Sequence, residues 1–297
     1  MVHLSERRRL GKSSVYLPPL GIGCAPIGEI YDRISDQQAA DTLDAALRKG
    51  IRYFDVAPSY GAGLAEMRLG RALRRAADEA GAYRVPRSEC FVSTKVTRRL
   101  VPDPSKTPNT MDHADAHGWA GGLNGFNSVM DCSYNGFLTQ HTESLQRMGL
   151  ASVDGLLIHG PGSPSSSPEE WSQLTEGGGF RALCELRQRG SVRALGCGFG
   201  GPFETVKAVL DACPMDYMCL ASVRNTISHL SCLSMTKCAS SCAGIHIADP
   251  TRSRRWHPQA LPGSRVRGCG IRPIQRGDSG WWLTGCGESC QVQLHGC

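Results

Sequence analysis

From Val15 onward, short apolar runs alternate with amphipathic stretches, a rhythm that predicts repeated strand–helix units around a parallel sheet. The run VYLPPLGIGCAPIG (15–28) opens extended and ends in glycines. Ser35 followed by Gln38 has the spacing of a capping box, ahead of Ala39, Leu43, Ala46 and Leu47 on one helical face, and Gly50 stops that helix. IRYFDVAPSYG (51–61) predicts a second strand and its loop, then a helix over about 64–80 with Leu64, Met67, Leu69, Leu73 and Ala76 on a shared side. ECFVSTKV is the third strand; VDGLLIHG, VRALGCGFG and MDYMCLA are the next three, each preceded by an amphipathic helix. The pattern therefore holds six strands and five intervening helices by Ala221. Between the third strand and the next helix lies a long Gly-, Asp- and Asn-rich loop (98–135), whose HGWAGGLNGF reads as a cover for a substrate.

After Ala221 the rhythm fails, and only AGIHIAD (243–249) reads as a strand. Charge marks the same boundary. Residues 1–220 carry 24 basic and 24 acidic side chains, so the whole net charge of +6 lies in the remainder, which also holds half of the 14 cysteines. The expected organisation is a barrel-like unit over 1–221 and an irregular Arg/Cys-rich tail over 222–297, with the pattern of an out-of-frame or aberrant segment. The C-x3-C pairs Cys238/Cys242 and Cys286/Cys290 lack zinc-finger spacing, so no metal site is expected. The tail arginines lack an aromatic platform, so no nucleic-acid partner is expected. No apolar window is long enough for a membrane span, and MVHLSERRRLGK lacks the apolar run of a secretory leader, so a soluble cytoplasmic protein with no membrane partner is expected. The cysteines before residue 221 fit a reducing compartment, and their spread offers no pairing argument.

Four polar residues stand at or just past the carboxyl ends of consecutive strands: Asp55 and Tyr60, Lys95, and His159. In a parallel barrel all such ends open on one face, so residues a hundred positions apart converge there.

GIRYFDVAPSYGAGLAEMRLGRAL, FVSTKV, SLQRMGLASVDGLLIHGPG and RALGCG, in that order over about 9–221, resemble the aldo/keto reductases. GWAGGLNGFNSVMDCSYNGF is similar to the branch of that superfamily with L-fucose and D-threo-aldose 1-dehydrogenases and pyridoxal 4-dehydrogenase. The resemblance implies an α/β (β/α)8 TIM barrel, here incomplete, with its last two βα units replaced by the irregular tail. It implies an oxidoreductase that uses NADP or NAD and a small-molecule aldehyde or sugar. Tyr60 would transfer the proton, Lys95 would lower its pKa by roughly 1–3 units, Asp55 would keep Lys95 charged, and His159 would orient the substrate oxygen. Trp119 would line the substrate pocket, and Gly23, Cys24, Asp55 and Gly200 would border the cofactor. The chain departs from the family pattern at Gly200, where an Asn is usual, and at SVRNT after the sixth strand, where a GRYT-like segment is usual. The alternative these departures raise is an inactive barrel remnant without its cofactor clamp.

Overall fold

The computed structural model describes residues 7–11, 13–78, 84–112, 118–162, 164–199 and 203–220, together with the backbone of 243–245, 276–277 and 280–281. Seven strands form one parallel sheet in chain order: β1 (Ile22–Gly23), β2 (Tyr53–Asp55), β3 (Phe91–Val96), β4 (Gly155–His159), β5 (Ala194–Phe199), β6 (Tyr217–Leu220) and β7 (Ala243–Ile245). The helices that follow are α1 (Asp36–Arg48), α2 (Leu64–Asp78), α3 (Tyr134–Met148), α4 (Pro168–Thr175), α5 (Gly179–Gln188) and α6 (Phe203–Ala212).

The strand period of two decides which residues face where. Phe54, Val56, Val92, Val96, Leu156, Ile158, Leu195, Cys197 and Met218 point outward into the main core, where they meet the apolar faces of the helices. The residues next to them along each strand point into the barrel, and at its floor Tyr53, Phe91, Ala194 and Tyr217 share a cluster with Leu157. Leu10, Val15 and Leu17, on or beside a small antiparallel hairpin (Arg8–Arg9 with Tyr16–Leu17), join that cluster and plug the floor. The rings fit because β4 and β5 carry glycine opposite them. A Cβ on Gly196 would come 2.8 Å from the Tyr217 ring.

Ser35 caps α1 with both bonds of the capping box present, as its spacing predicts. The stripe expected on α2 differs in two residues: Met67 is exposed and Leu64 only half-buried, and the buried side runs through Ala65, Glu66, Leu69, Ala72, Leu73 and Ala76. Glu66 is fully buried because Thr94 donates to one carboxylate oxygen at 2.7 Å and Arg147 to the other at 2.5 Å, tying α2 and α3 to the outer face of β3.

Two elements depart from the sequence reading. The stretch 98–135, expected as a loop, contains an antiparallel hairpin, Arg98–Pro102 with Phe126–Met130. A short helix, α4, precedes α5 and starts on Pro168, a residue suited to a first turn. In the tail, Ala243–Ile245 extends the sheet beside β6, within the AGIHIAD strand expected there, and Arg276–Gly277 pairs with Gly280–Trp281. The C-x3-C pairs, the arginines at 252–272 and the SVRNT segment lie outside the described residues.

Candidate active site

Asp55 ends β2 and Lys95 lies near the end of β3, both facing into the barrel. Their side chains are 2 and 3% exposed and meet at 2.5 Å between Nζ and Oδ2. Lys95 also donates to the Val56 carbonyl at 3.0 Å and to the Tyr60 hydroxyl at 3.0 Å, so all three ammonium protons have acceptors. Tyr60 reaches this point on a tight turn. Gly61 follows it at φ 63°, a left-handed conformation that glycine adopts without strain, and a Cβ there would collide with the Gly28 backbone.

His159, at the end of β4, stands edge-on to the Tyr60 ring with 5.8 Å between centroids. Its amide donates to the Thr97 hydroxyl at 3.0 Å, and its carbonyl accepts from Arg98 at 3.2 Å. Thr97 has φ 138°, outside the region a β-branched residue favours, and is held there by bonds from its amide to Gln140 and to its carbonyl from Asp131. Strain thus sits two residues past Lys95, at the junction that aims His159.

Trp119 arrives from the long excursion after β3. Asn109 bonds both its amide and its carbonyl, while Ala120 and Gly122 bond Glu29 and Leu123 bonds the Gly61 carbonyl, folding this segment across Tyr60. The indole is 3% exposed with its centroid 6.1 Å from that of Tyr60, and its Nε1 has no hydrogen-bond partner among the described residues. A buried donor without a partner costs about 1–3 kcal/mol, which an acceptor on a bound molecule would recover.

The electrostatics differ from expectation in one respect. Burial raises the Tyr60 pKa, the Lys95 ammonium opposes this, and the Asp55 carboxylate adds to the rise, so the phenol lies above its ordinary value instead of below it. Burial is the largest of these causes and outweighs the ammonium, with the carboxylate a smaller addition. Burial disfavours the charge on Lys95, but Asp55 and then Tyr60 outweigh it and the ammonium is held above the usual lysine range. His159 is pushed well below its ordinary value by burial and then by Lys95 and Arg98, so its imidazole is neutral.

Ser93 is a partner the sequence reading did not single out. It donates to the second Asp55 oxygen at 2.6 Å and lies 3.3 Å from the Tyr53 hydroxyl. Its signal was its place two residues before Lys95, hence on the same face of the strand.

Of the residues expected at a cofactor, Gly23 pairs in register with Asp55 and adds no side chain to the mouth. The Cys24 thiol points instead into the outer core, fully buried, while its amide bonds the Asp55 carbonyl at 2.8 Å. Gly200 lies outside the described residues, but Gly198 occupies the inner face of β5 beside His159. A Cβ on Gly198 would touch the Lys95 side chain at 3.5 Å. Bare glycines on both flanks of the Asp55–Lys95 pair, with an unsatisfied indole N–H nearby, fit a flat polar ring such as nicotinamide. Among the described residues no group of His, Cys, Asp or Glu is arranged to hold a metal ion.

Known proteins resemble this chain over most of its length. The model of the aldo/keto reductase family matches residues 19–243, past the boundary expected near 221. The pyridoxal 4-dehydrogenase of Microbacterium luteolum is 35% identical over 230 residues, 76% of this chain and 65% of that protein. The D-threo-aldose 1-dehydrogenase of a Pseudomonas species is 30% identical over 258 residues, covering 83% of this chain and 73% of its own length. The chain thus spans just under two thirds of the first of these relatives. A crystal structure of the Bombyx mori aldo-keto reductase in complex with NADP superposes with a TM-score of 0.55 at 18% identity, over 84% of this chain and 67% of that one. With a parallel barrel whose open face gathers Asp55, Tyr60, Lys95 and His159, and a family match over most of its length, the chain belongs to the aldo/keto reductase family.

Proposed function

We propose that this protein is an NAD(P)-dependent oxidoreductase acting on a small aldehyde or aldose, either reducing the carbonyl or oxidising a cyclic hemiacetal. When bound, the nicotinamide accepts or supplies the hydride. The observation that carries this reading is the contact of the Lys95 ammonium with the Tyr60 hydroxyl at 3.0 Å, opposite a neutral imidazole.

The substrate oxygen would rest between the Tyr60 hydroxyl and His159. Tyr60 donates its proton to that oxygen as a carbonyl is reduced. Lys95 stabilises the phenolate left behind, and Asp55 keeps Lys95 charged while it does so. His159, neutral, orients the oxygen by a hydrogen bond, and the Trp119 indole closes the pocket and offers its free N–H to a second polar group of the substrate. Gly23, the backbone of Cys24 and Asp55 would border the nicotinamide. Because the resting phenol is held protonated, reduction is favoured at neutral pH and oxidation gains as pH rises. The free cysteines of the described chain support a reducing, cytoplasmic setting. Among the described residues no helix is long and apolar enough to cross a membrane.

Tyr60→Phe tests the assignment. Loss of the acid–base group should lower turnover by about 10²- to 10⁴-fold, while quenching of protein fluorescence by the cofactor stays near its original strength. Unchanged turnover would remove Tyr60 from the chemistry, and absence of quenching in the unsubstituted chain would remove the cofactor.

A further inference from the structure

Far from the barrel mouth, two cysteines face each other across the helical layer. Cys184 lies on α5, and Cys213 is the residue immediately after α6. Their sulfurs are 4.0 Å apart, van der Waals contact for two thiols. Cys184 is half-buried, whereas Cys213 is 2% exposed. Arg187, one turn beyond Cys184, donates to the Pro214 carbonyl and the Asp216 carboxylate, both at 3.0 Å, and so holds the two segments in fixed register. Cys24, Cys90, Cys132 and Cys197 are all buried, and Cys219 lines the barrel.

We propose that Cys184 and Cys213 form a peroxide-responsive thiol–disulfide site that clasps α5 to the segment following α6. A disulfide needs its sulfurs about 2.05 Å apart, so closure requires a shift of about 2 Å, within reach of side-chain rotation and a small helix adjustment. The pair is polarised for the reaction. The contact with Cys213 and then the Arg187 guanidinium lower the Cys184 thiol against the effect of burial, while the same contact and its deeper burial raise Cys213. The Cys184 thiolate attacks one oxygen of hydrogen peroxide, giving a sulfenic acid and releasing hydroxide, which leaves as water. The Cys213 sulfur then attacks the sulfenyl sulfur, forming the S–S bond and expelling the second water. Two thiols are oxidised by two electrons, and one peroxide is reduced to two waters.

The experiment is peroxide titration of the reduced full chain, trapping of remaining thiols with N-ethylmaleimide, and peptide mapping by mass spectrometry. A Cys184–Cys213 linked peptide, reversed by dithiothreitol and absent in Cys184→Ser, is the expected result. Cys213→Ser should carry Cys184 on to the sulfinic acid instead. The linked form should melt higher by roughly 5–10 °C, since closing a loop of this length restricts the unfolded chain. Recovery of both cysteines as N-ethylmaleimide adducts after peroxide, or linkage of Cys184 to a different cysteine, would overturn the proposal. The mapping uses the unsubstituted chain, so it decides the matter even if a variant fails to fold.

Discussion

Replacing Asp55 by asparagine preserves the size of the side chain and removes the charge against which Lys95 rests. The partner left behind is an ammonium with a side chain 3% exposed, whose two other acceptors, the Val56 carbonyl and the Tyr60 hydroxyl, are both neutral. Breaking a buried ion pair from one side costs about 3–5 kcal/mol, because the remaining charge keeps its desolvation penalty. For a domain of this size that lowers the thermal midpoint by on the order of 10 °C. In the native protein the Lys95 pKa is raised above its unfolded value, so its contribution is complete below the ordinary lysine range and fades as pH rises through the raised value. In Asp55→Asn burial acts without its counterweight, the pKa falls, and the penalty is present at pH 7. A urea-unfolding cycle measures the pair: Asp55→Asn, Lys95→Met and the double substitution, with Asp55→Asn/Lys95→Met expected to be more stable than Asp55→Asn alone. Additive losses, with the double variant the least stable, would show that the two groups do not depend on one another and would refute this account of the site.

Three further outcomes follow from the same geometry. Ser93→Ala strips one donor from Asp55 and should lower kcat several-fold with KM unchanged and cost about 1–2 kcal/mol of stability, with Ser93→Thr restoring the rate; steady-state kinetics on the three proteins checks it. Because His159 and His141 have pKa values pushed down by burial, the unfolded chain binds their protons first, so stability should be full above about pH 6.5 and decline as pH falls below it; His159→Asn should flatten that decline in a melting series against pH. Gly155→Ala would press a methyl group into the Tyr217 hydroxyl and bring it 3.0 Å from the Phe91 ring, an overpacking cost of about 1–3 kcal/mol readable as a lowered unfolding midpoint.

The strands and the four polar residues of the mouth are legible in the chain because they share one signal. Strands such as Phe91–Val96 fix a period of two, and a polar residue at the carboxyl end of such a strand, in a parallel barrel, has one face to open on. Ser93 carried the same signal but reads as an ordinary strand residue until its oxygen is seen against Asp55. Trp119 against Tyr60 depends on where a hairpin with a long connection places its tip, and turn-rich composition hides the pairing of Arg98–Pro102 with Phe126–Met130. Cys184 sits on α5 and Cys213 just past α6, so no spacing rule brings them together. The sign of the phenol's shift eluded the sequence for a different reason: burial outweighs the Lys95 ammonium, and how deeply Tyr60 is buried is set by the fold around it.

The floor plug has a consequence for assembly. Leu10, Val15 and Leu17 leave the ribosome early, yet the cluster they complete includes Tyr217, synthesised roughly two hundred residues later. Until β6 emerges, this hairpin has only part of its nest to settle into, and its apolar side chains stay available to wrong partners. Closure of the bottom belongs among the last events of folding, and extensions fused ahead of residue 7 should be felt in the yield of soluble protein before they are felt in any rate of reaction.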